Sequence, residues 1–148
     1  GGTEEMPYMG LTQGSGASPA AWTAISTLII SAYKEKGYGA TFVTDRETRI
    51  ATVGVGYADG YPRHISPETH ILIRGQQAKI CGVVSMDQLQ VDVTDIPDAT
   101  EGDWVTLIGS EGNAVITVAM LAAWADVPVQ WPTTGLSPRV PRRYTGLE

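Results

Sequence analysis

Gly56-Tyr57-Ala58-Asp59-Gly60-Tyr61-Pro62-Arg63 follows an apolar run at 50–55 and interrupts it with glycine, proline and two tyrosines. The simplest reading is a strand that ends in a tight turn. Asp59-Gly60 is a turn pair in which Gly60 is free to take positive φ, and Pro62 biases Tyr61 toward an extended backbone. Tyr57 is then expected at the lip of a strand, held by a stiff loop. On its glycines and proline alone the loop reads first as a well-made turn, because these residues mark turns far more often than sites.

On both sides of this loop the pattern is one of short strands separated by turns. Strands are expected at 41–43, 49–55, 70–73, 79–85, 88–93 and 104–108, a spacing that suits a barrel or sandwich. The clearest is the last but one, where Leu89, Val91 and Val93 alternate with Gln88, Gln90, Asp92 and Thr94, so one face is buried and the other wet. Arg74-Gly75-Gln76 and Glu101-Gly102-Asp103 read as turns. Thr117 is placed to cap a short helix over 118–124 with Leu121 and Trp124 on its buried face. The proline-rich stretch 127–141 is too interrupted for a central strand.

The N-terminal part is less decided. Residues 1–17 are rich in glycine, serine and threonine and are expected to form a loose lead-in or an edge segment. Over 18–37 two local readings compete. Ser18 as cap, Pro19 at the first helical position, the spacing of Trp22, Ile25, Ile29 and Tyr33, and Gly37 as a stop favour a helix. The β-branched content of 25–31 favours a strand.

Composition narrows the function. The chain has 148 residues, 43% of them apolar, enough for one domain with its own core, expected over 18–148. A formal charge of −6 argues against a nucleic-acid backbone or an anionic membrane as partner. Arg139, Arg142 and Arg143 lack the aromatic interleaving that binds single strands. Cys81 is the single cysteine, which suits a reducing, cytoplasmic setting. His64 and His70 are too few and too badly spaced for a zinc site, so no metal is expected. There is no phosphate-binding glycine loop and no serine elbow. What is unusual is tyrosine in glycine-rich settings, at Tyr38 and Tyr57. A tyrosine acts as a base only if a neighbouring cation lowers its usual pKa of about 10. Without such a group Tyr38 reads as a packed aromatic, and Met86-Asp87 as a kink between strands.

Four blocks in order change that reading. Gly56-Tyr57-Ala58-Asp59-Gly60-Tyr61-Pro62-Arg63, Val84-Ser85-Met86-Asp87-Gln88 with Val91-Asp92-Val93-Thr94, Gly102-Asp103 with Val105-Thr106-Leu107-Ile108-Gly109, and Arg139-Val140-Pro141-Arg142 together resemble the C-terminal β-domain of alanine racemases. The resemblance covers about 37–144 and includes Tyr38-Gly39-Ala40-Thr41-Phe42. It implies a mainly β fold, a small barrel or sandwich with one or two short helices, and a strand where the capping signals over 18–37 suggest a helix.

The resemblance also implies a function. In that family an N-terminal α/β barrel holds pyridoxal phosphate on a lysine, and the β-domain of the partner subunit completes the site, giving a homodimer that interconverts L- and D-alanine, a cell-wall precursor. Tyr38 matches the base on the L-face of the substrate, Met86 the residue whose backbone amide meets the substrate carboxylate, with Asp87 beside it, and Tyr57 a tyrosine at the inner neck of the access path. No barrel fits in this length, and Lys34, Lys36 and Lys79 lie outside any barrel pattern, so the cofactor is expected on the other half of the enzyme and this chain alone is expected to be inactive. Pro138 stands where several members carry a tyrosine. The alternatives are a freestanding β-domain that serves as an interaction module, and a related decarboxylase, against which the Gly56–Arg63 block argues.

Overall fold

The hairpin around Arg74-Gly75 shows how local sequence sets the sheet. A computed structural model describes residues 8–12, 21–25, 31–33 and 46–145. Strands β5 (His70–Ile73) and β6 (Gln76–Cys81) pair antiparallel with Ile73 opposite Gln76. The two residues between them, Arg74 and Gly75, have φ of 50° and 73°, the left-handed pair whose twist matches that of the flanking strands. Asp103 steadies the non-glycine member: Arg74 Nε and Nη2 donate to its Oδ2 and Oδ1 at 2.7 and 2.9 Å.

The other strands are β1 (Tyr8–Thr12), β2 (Ala21–Ile25), β3 (Ser31–Tyr33), β4 (Thr48–Val53), β7 (Leu89–Asp92), β8 (Trp104–Glu111), β9 (Ala114–Ile116) and β10 (Arg142–Thr145). They run in the order β10-β1-β2-β8-β5-β6-β7-β4-β3, with β9 hairpinned onto β8. Among the described strands only β1 and β10 pair in parallel. The path turns at β6, which pairs with β5 through 76–79 and with β7 through Ile80 and Cys81. Among the described residues no ladder joins β10 to β3, and the mainly β form expected, a small domain of barrel or sandwich type with short helices, is observed as one bent sheet.

The core sits inside that bend. Ala51 and Val53 of β4, Leu89 and Val91 of β7, Ile71 and Ile73 of β5 and Val105 and Leu107 of β8 are fully buried in one cluster. The alternation expected over 88–94 is observed, with Leu89, Val91 and Val93 buried and Gln90 and Asp92 half-buried. The helix α1 (Val118–Ala125) starts where expected, Thr117 Oγ1 accepting the Met120 N–H at 3.1 Å. Leu121 is buried, while Trp124 is partly buried against the cluster.

Some expectations shift. The strand expected over 79–85 begins at Gln76 and stops at Cys81, because Gly82 turns the chain with φ 70°. Of the readings left open over 18–37, the strand reading holds at β2 and β3. Backbone pairing to β8 and β4 overrides the capping signals there. Residues 1–17 contribute β1, bonded to both β2 and β10. The strand expected at 41–43 lies outside the described residues. Within 127–141 the chain forms a one-turn helix, α2 (Trp131–Thr134), with Pro132 in its first turn.

The Arg74–Asp103 pair predicts an acid-sensitive component of stability. Hydrogen bonding to Arg74, helped by the Thr100 N–H, holds the Asp103 carboxyl below its ordinary range. A carboxyl lowered in the folded state binds fewer protons there than when unfolded. Its contribution is therefore complete above the unfolded value of about 3.9 and is lost as pH falls through the folded one. Thermal midpoints measured from about pH 6 to pH 2 should drop less steeply at the acid end for Arg74→Ala than for the unaltered chain. Parallel curves would show that the pair does not contribute.

Candidate functional site

The stretch after β4 folds as a single 3-10 turn, Tyr57–Asp59, set against the loop that follows β6. Tyr57 N–H donates to Ser85 O at 3.0 Å and Ala58 N–H to Met86 O at 2.9 Å. The approach is close because Gly56 carries no side chain. A Cβ there would lie 2.3 Å from Ser85 O and 2.4 Å from Met86 O. The loop is closed by Ser85, whose N–H and Oγ both donate to Gln88 O, at 2.9 and 2.8 Å. Gly60 ends the turn with φ 103°, the positive value expected of it.

Beneath the turn lies a charged knot. Asp59, 1% exposed, accepts the Gly56 N–H at Oδ2, 2.8 Å away. Its Oδ1 lies 2.8 Å from Arg139 Nε, and Arg139 Nη2 lies 2.6 Å from Asp87 Oδ1. The Asp87 hydrogen bond, then the charge of Asp59, holds the Arg139 guanidinium above its already high ordinary range. The Asp59 carbonyl also accepts the Ser137 N–H at 3.0 Å. Three separate parts of the sequence are thereby locked together: 56–63, 85–88 and 137–139.

Tyr57 and Met86, expected to share a site, are brought together by this knot, and Asp87 with them. The faces they present outward are open: Tyr57 is 43% exposed and Met86 52%. Val83, also exposed, belongs to the same loop. The Arg63 guanidinium carbon lies 5.4 Å from the Tyr57 ring centroid, within the range of an attractive cation–π contact. Tyr57 and Arg63 also line a groove of about 370 Å³, together with Pro62, His64, Val127 and Trp131 among others. Tyr61, by contrast, is buried, and burial holds its phenol well above its ordinary range. Tyr38 lies outside the described residues.

The sequence reading missed Arg139 as the centre of the knot. In the sequence it belongs to the Arg139-Val140-Pro141-Arg142 stretch and reads only as one of three C-terminal cations. Arg142 is likewise engaged internally, donating to the carbonyls of Leu136, Ser137 and Val140. Trp131 was missed as a groove residue because its stretch was read only as irregular. No group of three or more His, Cys, Asp or Glu able to hold a metal occurs among the described residues, and no described helix is long and apolar enough to cross a membrane.

The described residues do not fit pyridoxal phosphate. Lys79, the lysine among them, lies on β6 opposite His70, and no lysine lines the groove beside Tyr57. What the arrangement holds together is an aromatic ring, an exposed thioether and a backbone amide, on a base fixed by backbone hydrogen bonds.

The family model described as alanine racemase, C-terminal domain, matches residues 23–144. The chain is 50% identical over 107 residues to an alanine racemase of Halothermothrix orenii, covering 72% of this chain and 28% of that protein. It is 48% identical over 109 residues to one from Symbiobacterium thermophilum, covering 74% and 29%. Among solved structures, the biosynthetic alanine racemase of Pseudomonas aeruginosa superposes with a TM-score of 0.76 at 38% identity, over 85% of this chain and 35% of that one. The alanine racemase of Bartonella henselae with covalently bound pyridoxal phosphate gives 0.73 at 31%, over 84% and 34%. The chain thus spans roughly a third of the length of the relatives it matches.

Proposed function

This chain belongs to the alanine racemase C-terminal domain family, and on that premise we propose that it is the lid half of a racemase interconverting L- and D-alanine or a similarly small amino acid. The observation that carries the reading is the juxtaposition of Tyr57 and Met86, fixed by two backbone hydrogen bonds at 3.0 and 2.9 Å and open outward. Removing and returning an α-proton on opposite faces of one carbon needs two positioned proton carriers. Pyridoxal phosphate, when bound by the barrel half, disperses the charge that builds on that carbon. In this reading Tyr38 carries the proton on the L-face, Met86 N–H meets the substrate carboxylate, and Asp87 supports its loop. Tyr57 narrows the approach so that small side chains pass and large ones do not. The partner is the barrel of a second subunit in a homodimer, and the setting is cytoplasmic.

Complementation tests the reading. This chain mixed with a separately produced, cofactor-loaded barrel half should convert L-alanine to D-alanine, while neither piece does so alone. A folded mixture that forms a complex yet racemises nothing would favour a non-catalytic interaction module instead.

A further inference from the structure

Arg139 reaches two carboxylates at different depths. The inner one, Asp59, has a side chain 2% exposed and the outer one, Asp87, a side chain 56% exposed. The inner contact supplies the countercharge that a buried carboxylate requires. The outer contact has no such need, and exposed ion pairs contribute little to stability. What it does have is a place in the chain. Asp87 directly follows Met86, whose carbonyl is already taken by Ala58 N–H, while the Met86 N–H has no acceptor among the described residues.

We propose that Arg139 is a positioning residue: seated on Asp59 through Nε, it holds Asp87 through Nη2 and so sets the direction in which the Met86 N–H is presented to the carboxylate of an incoming amino acid. The role assigned to Met86 above is taken as given. The geometry calls for a planar fork. A guanidinium offers donors at fixed angles to two acceptors at once, whereas the ammonium of lysine is a point charge on a flexible stem. Lysine at 139 would therefore still neutralise Asp59 but would let Asp87, and the loop with it, drift. The Ser85 closure onto Gln88 and the bonds to Tyr57 and Ala58 fix the loop's base; the Arg139–Asp87 contact holds its outer rim.

The test uses the 148-residue chain labelled with ¹⁵N, with Arg139→Lys, Asp87→Asn and the double variant compared. Each single variant should shift the Met86 amide resonance and speed its hydrogen exchange, and the double should do no more than either single, as coupled partners do. Asp87 is on the surface, so Asp87→Asn keeps the fold and is decisive. A Met86 amide unmoved by Asp87→Asn, while Arg139→Lys moves it, would overturn the proposal and leave Arg139 as a counterion to Asp59. In the complemented enzyme Asp87→Asn should raise KM for alanine about tenfold with kcat little changed, as loss of a charge-assisted binding contact does. An unchanged KM overturns the proposal equally. If the unaltered halves show no racemisation, that failure belongs to the proposed function, and the amide measurements still decide the role of Arg139.

Discussion

Gly56→Ala should destabilise the chain by about 3 kcal/mol or more, the upper range for forcing a methyl group into filled space. At this chain length that lowers the thermal midpoint by about 6–12 °C. The cause is contact, not conformation. Gly56 has φ −149° and ψ −165°, an extended backbone open to any residue. An added Cβ would nevertheless lie 2.3, 2.4 and 2.5 Å from Ser85 O, Met86 O and Met86 C. All three are backbone atoms, so no side chain can swing away to relieve the overlap. The 3-10 turn would have to lift from the loop, and the Tyr57 and Ala58 hydrogen bonds to Ser85 and Met86 would go with it. Gly102→Ala is the control: its φ is +90° but nothing lies within 4 Å of the added carbon, so it should cost only about 1 kcal/mol of backbone strain. Urea unfolding of the two variants side by side measures the difference. Equal losses would show that the turn and the loop are not in tight contact.

Tyr38→Phe should lower turnover of L-alanine in the complemented enzyme by about 10²–10⁴-fold, the usual contribution of one positioned acid or base. Only the hydroxyl is lost and the aromatic ring is kept, so assembly of the two halves should be unaffected. The fall should appear in kcat and kcat/KM together, because the lost interaction is one made in the transition state. Steady-state rates in both directions, with sedimentation to confirm the complex, measure it. A loss of less than about tenfold would remove Tyr38 from the role of proton carrier, and the L-face group would have to come from the barrel half.

Much of the sheet was legible in the sequence because strand periodicity is a local property. The burial of Leu89, Val91 and Val93, the β5 strand, the 74–75 turn, the Thr117 cap and the positive φ of Gly60 follow from residue types within a few positions of one another. Strand β9 was not seen, because Ala114–Ile116 is too short to show an alternation. Strand β10 was not seen because Arg142–Thr145 is exposed throughout and owes its form to its parallel partner β1. For β2 and β3 local signals pointed both ways, and pairing across the sheet decided.

Residue patterns alone were enough to establish a mainly β domain and a stiff turn after the strand expected at 49–55, and four ordered blocks were enough to point to its family. How those blocks bear on one another emerges from the folded chain. Asp87 and Arg139 are 52 positions apart, and no propensity or period extends that far. Their meeting depends on how the bent sheet brings the 85–88 loop and the 137–139 segment to the same corner. Gly56 carries the same lesson at shorter range: in the sequence it is one more glycine of a turn, whereas the folded chain uses its missing side chain, a requirement that exists only once Ser85 and Met86 have been packed against it.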